Sequence, residues 1–409
     1  MTLSDPAGAT PPLPPTGARP EERHLLGIRL DPAAIDDAGL AAWHELADRA
    51  AEPNPFYRPE FLLANVIERR VPAELLVVLD RDRWIACLPV TRRPASVRFP
   101  LPTLAAVTDD YSFSGTPLLD REALDDAAAG LVGLIRTERR AAAVMIGVFE
   151  MSGPVGQALT RAAARAGRPI HEHSSFVRAG WWRRAEPHFP GPTFDLTDRR
   201  EIARRSRRMS AELGGDVRVV DRTHDPAAWD RFLAMENSSW KAARGTALAS
   251  TERDAAFFRR MCAGLARTGH FELVTLDVAE RTLAMEAHLI DGTALFSFKI
   301  AFDPAYRRFS PGTNLKYRVI ERLEGSSMTV ADSCASPDNA HMNRLWPDRR
   351  VMRTVVVGTG APTASLLVPL LRARSVGRHA RDSVASVRTR LRRSGRAAAE
   401  REPQGRPER

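Results

Sequence analysis

The residues with the clearest chemical use lie between a β-prone run at 293–302 and an amphipathic stretch at 313–324, where the chain reads Ser310-Pro311-Gly312-Thr313-Asn314. A helix beginning there exposes backbone N–H groups that lack intrahelical partners, at the positive end of its dipole. Pro311 suits a first helical turn, and Gly312 lets an anion come close to the backbone. Ser310, Thr313 and Asn314 add polar groups, and Arg307 and Arg308 just upstream can pair with phosphate oxygens. The set suits a pyrophosphate held at a helix N-terminus. The same residue types also make an ordinary strand-to-helix turn.

A second group is Glu236, Trp240 and Lys241, at the end of a predicted helix and the start of a Gly-containing loop. A carboxylate and an ammonium beside an indole can move a proton and stabilise an anion, or simply form a surface pair with a core anchor. Only Lys241, Lys299 and Lys316 are lysines among 60 basic residues. Where arginine has replaced lysine nearly everywhere, a remaining lysine marks a place for a compact ammonium that a guanidinium does not fit. In the first half, the polar loop Asp109-Asp110-Tyr111 is either a solvated turn or one wall of an acceptor cleft. His171 and His173 share one side of a short strand with no third ligand evident, so no metal is expected. Walker, Rossmann and nucleophile-elbow patterns do not occur.

The elements that must position these residues follow from periodicity and punctuation. Helices are predicted over 41–50, 59–70, 120–139 and 155–166, a hairpin over 75–80 and 84–91, and a buried-type strand over 143–149. A connector at 181–192, bearing Pro and Arg, carries the boundary. Beyond it, helices are predicted over 199–213, 226–238, 250–267 and 313–324, with strands over 217–220, 271–278, 281–290, 293–302 and 329–332. Both halves thus place helices before a hairpin or meander, then a loop, a helix and a strand. The predicted class is α/β (α+β): two tandem units, each a mixed central sheet flanked by helices. The expected divisions are a disordered leader at 1–24, units at 25–185 and 186–362, and a basic tail at 363–409.

Bulk properties set the surroundings. Three widely spaced cysteines, Cys87, Cys262 and Cys334, make no disulfide framework and point to a reducing compartment. The leader is rich in Pro and Ala and has no apolar core, and no apolar run reaches the ~18 residues that would span a bilayer. Residues 372–409 hold twelve arginines against four acids, a net of +8, which leaves +2 of the chain's +10 for everything before them. The folded body is therefore near neutral, and no specific nucleic acid is expected. The tail is either a solvated end or a contact for an anionic membrane surface, with 363–393 able to form an amphipathic helix.

Glu236, Trp240-Lys241 and Gly245-Thr246, then Phe302-Asp303-Pro304-Ala305-Tyr306 and Ser310-Pro311-Gly312, then Asp332 and Asn343-Arg344-Leu345-Trp346, resemble the CelD/BcsL branch of GNAT acyltransferases, which is related to the Fem peptidyltransferases. The resemblance runs over roughly 25–360 and is densest from Glu236 to Trp346. It implies acyl-coenzyme A as co-substrate in the second unit, at the 310–314 turn; Arg307 and Arg308 are the expected phosphate ligands beside it, and Lys241 or Lys299 either neutralises a phosphate or stabilises the oxyanion. It implies an amine or hydroxyl acceptor on a sugar or small metabolite, contacted by Asp110, Tyr111, Trp240 and Trp346. Catalysis falls to Glu236 as first candidate base, Asp332 as second, and Lys241. One departure stands out: a lysine common before the final Trp is absent where this chain has His341-Met342-Asn343-Arg344. An aminoacyl-tRNA donor in the Fem manner, and a non-catalytic module of a polysaccharide synthase complex, are the competing expectations.

Overall fold

The computed structural model describes residues 25–96, 99–168, 170–185, 196–239 and 245–366. Trp240, Lys241, the leader and the tail beyond 366 lie outside the described residues. The first half runs β1 (Leu25–Leu30), α1 (Asp37–Asp48), α2 (Pro59–Glu68), β2 (Glu74–Asp80), β3 (Arg83–Arg93), β4 (Thr103–Ala106), β5 (Leu118–Leu119), α3 (Leu124–Thr137), β6 (Ala143–Phe149), α4 (Pro154–Arg165) and β7 (His171–Trp182). The second runs α5 (Leu196–Leu213), β8 (Val217–Asp221), α6 (Pro226–Asn237), α7 (Glu252–Arg267), β9 (Phe271–Val278), β10 (Arg281–Asp291), β11 (Ala294–Phe302), α8 (Pro311–Leu323), β12 (Val330–Asp332), α9 (Ala340–Leu345) and β13 (Asp348–Gly358). Local chemistry sets several starts. Asp36 accepts from the Gly39 N–H at 2.9 Å, Asp225 from Ala227 at 3.0 Å, and Thr251 from Asp254 at 3.1 Å. Pro59, Pro226 and Pro311 each occupy a first turn.

The fold is mixed α/β, with one large mixed sheet flanked by helices, in the order β1-β2-β3-β4-β6-β13-β7-β12-β11-β10-β9-β8, and β5 pairing with β3. The order is symmetric about its middle. In each half an antiparallel meander leads into a parallel pair, β4 with β6 and β11 with β12. The halves then exchange their last strands. β7 pairs with β12 of the second half, and β13 crosses back to β6 of the first. The two exchanged strands pair antiparallel with each other, Arg350 opposite Arg178, at the centre of the sheet.

Sequence reading placed the repeat in the right order but missed β1, β4, β5 and β13, and of β7 read only a short strand at His171 and His173. The segment HEHSSFVRAGWW of β7 is polar and Gly-bearing, so it shows little strand signal and is extended because it pairs on both edges. The boundary drawn at 185/186 therefore follows a strand that completes the second half's part of the sheet, and β13, from the second half, completes the first.

The two parallel pairs behave alike up to a point. β11 and β12 pair only over 294–296 and 330–332, and β4 and β6 only over 103–105 and 143–145, after which the partners part. In the first half the gap is plugged by the chain itself. The Gly115 N–H donates to the Val148 carbonyl at 3.2 Å, and the Asn54 side-chain amide holds the Thr116 carbonyl at 2.7 Å. A Cβ on Gly115 would stand 2.2 Å from the Gly147 carbonyl oxygen, so only glycine fits. Gly115→Ala should cost ~1–3 kcal/mol by overpacking, read as a lowered urea midpoint at unchanged m-value. A wild-type midpoint would show that the plug is loose.

Candidate active site in the second half

In the second half, the gap between β11 and β12 opens toward the start of α8. Ser310, in the left-handed region at φ 51, makes the corner, and no side chain caps the helix. A hollow of about 180 Å³ lies against Phe302, Arg307 and the Ser310–Thr313 backbone. A second, of about 220 Å³, reaches from Ser310, Thr313 and Asn314 toward α5 and α9, where Arg205, His341 and Arg344 line it. A Cβ on Gly312 would come no nearer than 3.4 Å to Phe302, so this glycine leaves space and is not forced by packing. Arg307 is exposed and forms no ion pair among the described residues. Arg308 is pulled aside, paired with Glu212 at 2.9 Å and stacked 4.4 Å over Phe309.

α8 is fastened to the sheet by a buried polar chain that sequence reading did not find. The Lys316 ammonium, 1% exposed, bonds Glu286 and the Ser297 hydroxyl, and Ser297 donates to Glu286 at 2.9 Å. His288 stands between two carboxylates, with Nδ1 2.8 Å from Glu272 and Nε2 2.8 Å from Glu286. Arg322 closes the chain on Glu272 at 2.6 Å. Burial raises the Glu286 pKa, but Lys316 and His288 overcome it and hold it at about 2. Burial likewise raises Glu272, and His288 and Arg322 bring it to about 2. Burial lowers His288, and its two carboxylates lift it above the ordinary histidine value. The shortage of lysine had pointed to Lys316, and a wide guanidinium has no room in this cluster.

One inserted residue separates this cluster from a second one. Ala287 faces Lys299 and His288 faces Ser297, so Phe298 is an extra residue on β11. The bulge sends Ser297 to the α8 face and Lys299 to the opposite face, although residues two apart normally share a side. There Lys299 lies 3.8 Å from Glu236 and 4.6 Å from the centre of the Tyr111 ring. Lys299, expected either on a donor phosphate or at the oxyanion, is joined to Glu236 and to the first half's loop. Glu236 is fully buried at the end of α6 and accepts the Leu248 N–H at 2.8 Å. Tyr111 is seated by Arg69, whose guanidinium is 4.5 Å above its ring and which also bonds Asp109 and Asp254. Asp110 is exposed beside it.

Two expected residues sit elsewhere. Asp332 is 2% exposed and accepts from Arg178 at 3.2 Å, Arg350 at 2.8 Å and the Cys334 N–H at 2.7 Å. Burial raises its pKa, but the two guanidinium groups outweigh that and keep it below the usual carboxylate range. Its lone pairs are committed to joining strands, which leaves it unsuited to act as a base. Trp346 is 1% exposed and packs with Trp181, Ile320 and Leu345, so it anchors a core and does not line an acceptor site. Conversely, Arg205, His341 and Arg344 were not proposed as site residues. His341 had drawn notice only as a departure from the family pattern, yet its Nε2 lies 3.5 Å from the Thr313 hydroxyl. Burial, Lys316 and Arg344 lower its pKa, so the imidazole is neutral at pH 7. Among the described residues no cluster of His, Cys, Asp or Glu is arranged to hold a metal ion, and no helix is long and apolar enough to cross a membrane.

Lys316→Met should leave Glu286 buried without its ammonium and cost about 3–5 kcal/mol, measured by chemical denaturation. The depressed carboxylates Glu272 and Glu286 contribute stability that is present above their unfolded pKa near 4.5 and is lost as pH falls toward 2. His288 acts in the other sense, since its contribution is present below 6.5 and disappears as pH rises through its raised value. A urea midpoint that stays flat between pH 5 and pH 3 would contradict the carboxylate assignment.

Residues 197–341 match the family described as "Acetyltransferase (GNAT) domain". No curated protein matches the chain. Among solved structures, FemX superposes with a TM-score of 0.54 at 10% identity, over 83% of this chain and 99% of that one. The C-terminal DUF2156 domain of a putative lysylphosphatidylglycerol synthetase from Agrobacterium fabrum gives 0.48 at 13% identity, over 80% and 94%. A tandem GNAT protein from the clavulanic acid biosynthesis pathway gives 0.39 at 15% identity, over 83% and 99%. At such identities the FemX likeness shows the fold alone, a GNAT/Fem-like one.

Proposed function

From a GNAT acetyltransferase domain over residues 197–341 on a GNAT/Fem-like fold, we propose that this protein moves an acyl group from acyl-coenzyme A to an amine or hydroxyl of a sugar or small metabolite. Within the superfamily its motifs are read as those of the CelD/BcsL branch, and envelope polysaccharide synthesis is the setting they suggest. The observation that carries the reading is the parallel pair β11/β12, which parts after Phe296 and Asp332 directly before an uncapped helix start flanked by Arg205 and Arg307. A pantetheine arm can lie in that gap while the pyrophosphate meets the Gly312–Thr313 backbone.

Transfer is a direct displacement, dominated by positioning and by stabilisation of the oxyanion. The nucleophile's lone pair attacks the thioester carbonyl carbon, a C–N or C–O bond forms, and the C–S bond breaks. The proton released by the nucleophile passes to Glu236 and from there to the departing sulfur. Lys299, fixed by Glu236 and seated over Tyr111, supplies positive charge for the oxyanion. Lys241 is proposed as a second cation at this end.

One observation favours a different donor. α5 carries six arginines beside the start of α8; Arg204, Arg205 and Arg208 are paired with Glu201 and Glu212 of the same helix, and with Arg199, Arg200 and Arg207 the helix is net basic within a body of low net charge. Such a helix fits a polyanion, and so a donor carried on tRNA.

Calorimetry with acetyl-coenzyme A should show binding to the wild type and none to Gly312→Glu, whose carboxylate would stand where the pyrophosphate lies. Binding that is equal in both moves the donor away from α8. Glu236→Gln should lower kcat by about 10²–10⁴ with the donor Kd unchanged. Full turnover in that variant removes Glu236 as the proton acceptor. Absence of any acyl-coenzyme A binding, together with salt-sensitive binding of aminoacyl-tRNA, would favour the second reading.

A further inference from the structure

The first half carries a hollow that the transfer reading does not use. It has a volume of about 310 Å³ and lies where β4 and β6 part, the place that corresponds by symmetry to the donor gap of the second half. Its size falls at the lower edge of small-ligand sites, about 300–1,000 Å³.

Three independent features mark it as built. Thr103, Thr108, Ser174 and Thr354 line it, with Phe99 and His173, whose ring centroids are 5.0 Å apart. On its floor is Gly147, a glycine inside strand β6, where glycine weakens a strand and often marks close approach by another group. A Cβ there would meet only the Thr108 and Thr354 hydroxyls, at 3.5 and 3.8 Å, so a larger side chain would fill the hollow itself. The next residue, Val148, also lines the hollow and sits at φ 51, a left-handed conformation that a β-branched residue adopts only under constraint.

The chemistry of the lining selects the ligand. Arg93 is its one formally charged residue, and no carboxylate lines it among the described residues. It also lacks what holds a pyrophosphate in the other half. The helix that follows, α3, is preceded by a turn capped by buried Asp120 and begins with Asp125 and Asp126, which repel phosphate. The plug at Gly115 closes the gap through which a pantetheine would run. What remains is a cup of hydroxyl-bearing residues and two aromatic rings, with Arg93 as its one charge. The loop that brings Thr108 into this cup continues to Tyr111, which lies against Lys299.

We propose that this hollow binds a glycosyl unit, its hydroxyls bonded to the Thr and Ser side chains and its apolar face against Phe99 and His173, and that the 107–112 loop aligns it with the Lys299–Glu236 pair. That the sugar is the acceptor rests on the transfer reading; the binding site itself does not.

The test is saturation-transfer difference NMR on the full chain with glucose, N-acetylglucosamine and glucuronate, which detects millimolar affinity. At least one should give signals in the wild type. Gly147→Val should weaken them about tenfold or more, and Thr354→Val, which removes only a hydroxyl, about threefold or more. Acetyl-coenzyme A affinity, measured in parallel, should stay within about twofold of wild type in both variants, and a wild-type-like urea midpoint shows that they are folded. Absence of signal from all three sugars overturns the glycosyl assignment. Signals that persist at full strength in Thr354→Val and in folded Gly147→Val overturn the location. Sugar binding lost in the variants of a chain that never binds acetyl-coenzyme A would keep this site while sinking the donor reading.

Discussion

Everything else in this protein hangs on two arginines facing each other across an exchanged pair of strands. Arg178 on β7 and Arg350 on β13 are opposite one another at the centre of the sheet. Placed side by side alone, two guanidinium groups would repel. Asp332 takes both, Glu150 takes Arg350 at 2.8 Å, and the Phe113 carbonyl takes Arg178 at 3.0 Å. These five residues come from β7, β13, the end of β12, the end of β6 and the plug of the first half's gap. A single buried network therefore joins both halves where their sheets meet. Removing one partner of such a network leaves a charge stranded in low dielectric, which is why it fixes how the halves meet more than it adds net stability.

That junction lets one half serve the other. Because the halves share a sheet, the loop from Val107 to Ser112 can reach across and set Tyr111 beside Lys299, with Phe113 and Phe298 packed 6.2 Å apart behind it. The two parallel gaps have then taken different courses. The second opens before an uncapped helix start; the first is filled by its own chain, and its helix starts behind aspartates. Duplication of a topology has not meant duplication of a site, because backbone order is repeated while the side chains at each helix start have opposite charge preference.

The bulge at Phe298 has a comparable effect at smaller scale. With regular pairing, Ser297 and Lys299 would lie on one face and the lysine would join the buried cluster beneath α8. With the extra residue, the protein has two lysine–glutamate pairs on opposite faces of the sheet, Lys316–Glu286 and Lys299–Glu236. The first, buried and bracketed by His288, holds the helix; the second lies at the edge of the first half's loop.

Much of this was legible in the sequence by itself. The order of elements, the tandem α/β plan and the helix start at Ser310–Asn314 follow from periodicity, Pro and Gly placement and capping residues, all of which act over a few positions. The scarcity of lysine singled out Lys299 and Lys316, because a compact ammonium is a local steric requirement. Tertiary structure alone decided the rest. β7 carries a weak strand signal and becomes a strand by pairing with β13 across 168 to 185 residues of chain, which no local propensity encodes. Asp332 and Trp346 look like site residues in a motif, and turn out to be ties within the core, since burial and partners depend on which strands are neighbours. The roles of Glu286, His288 and Ser297 appear only once β9, β10, β11 and α8 are stacked, because an ion pair buried in a fold is a property of contacts that sequence separation hides.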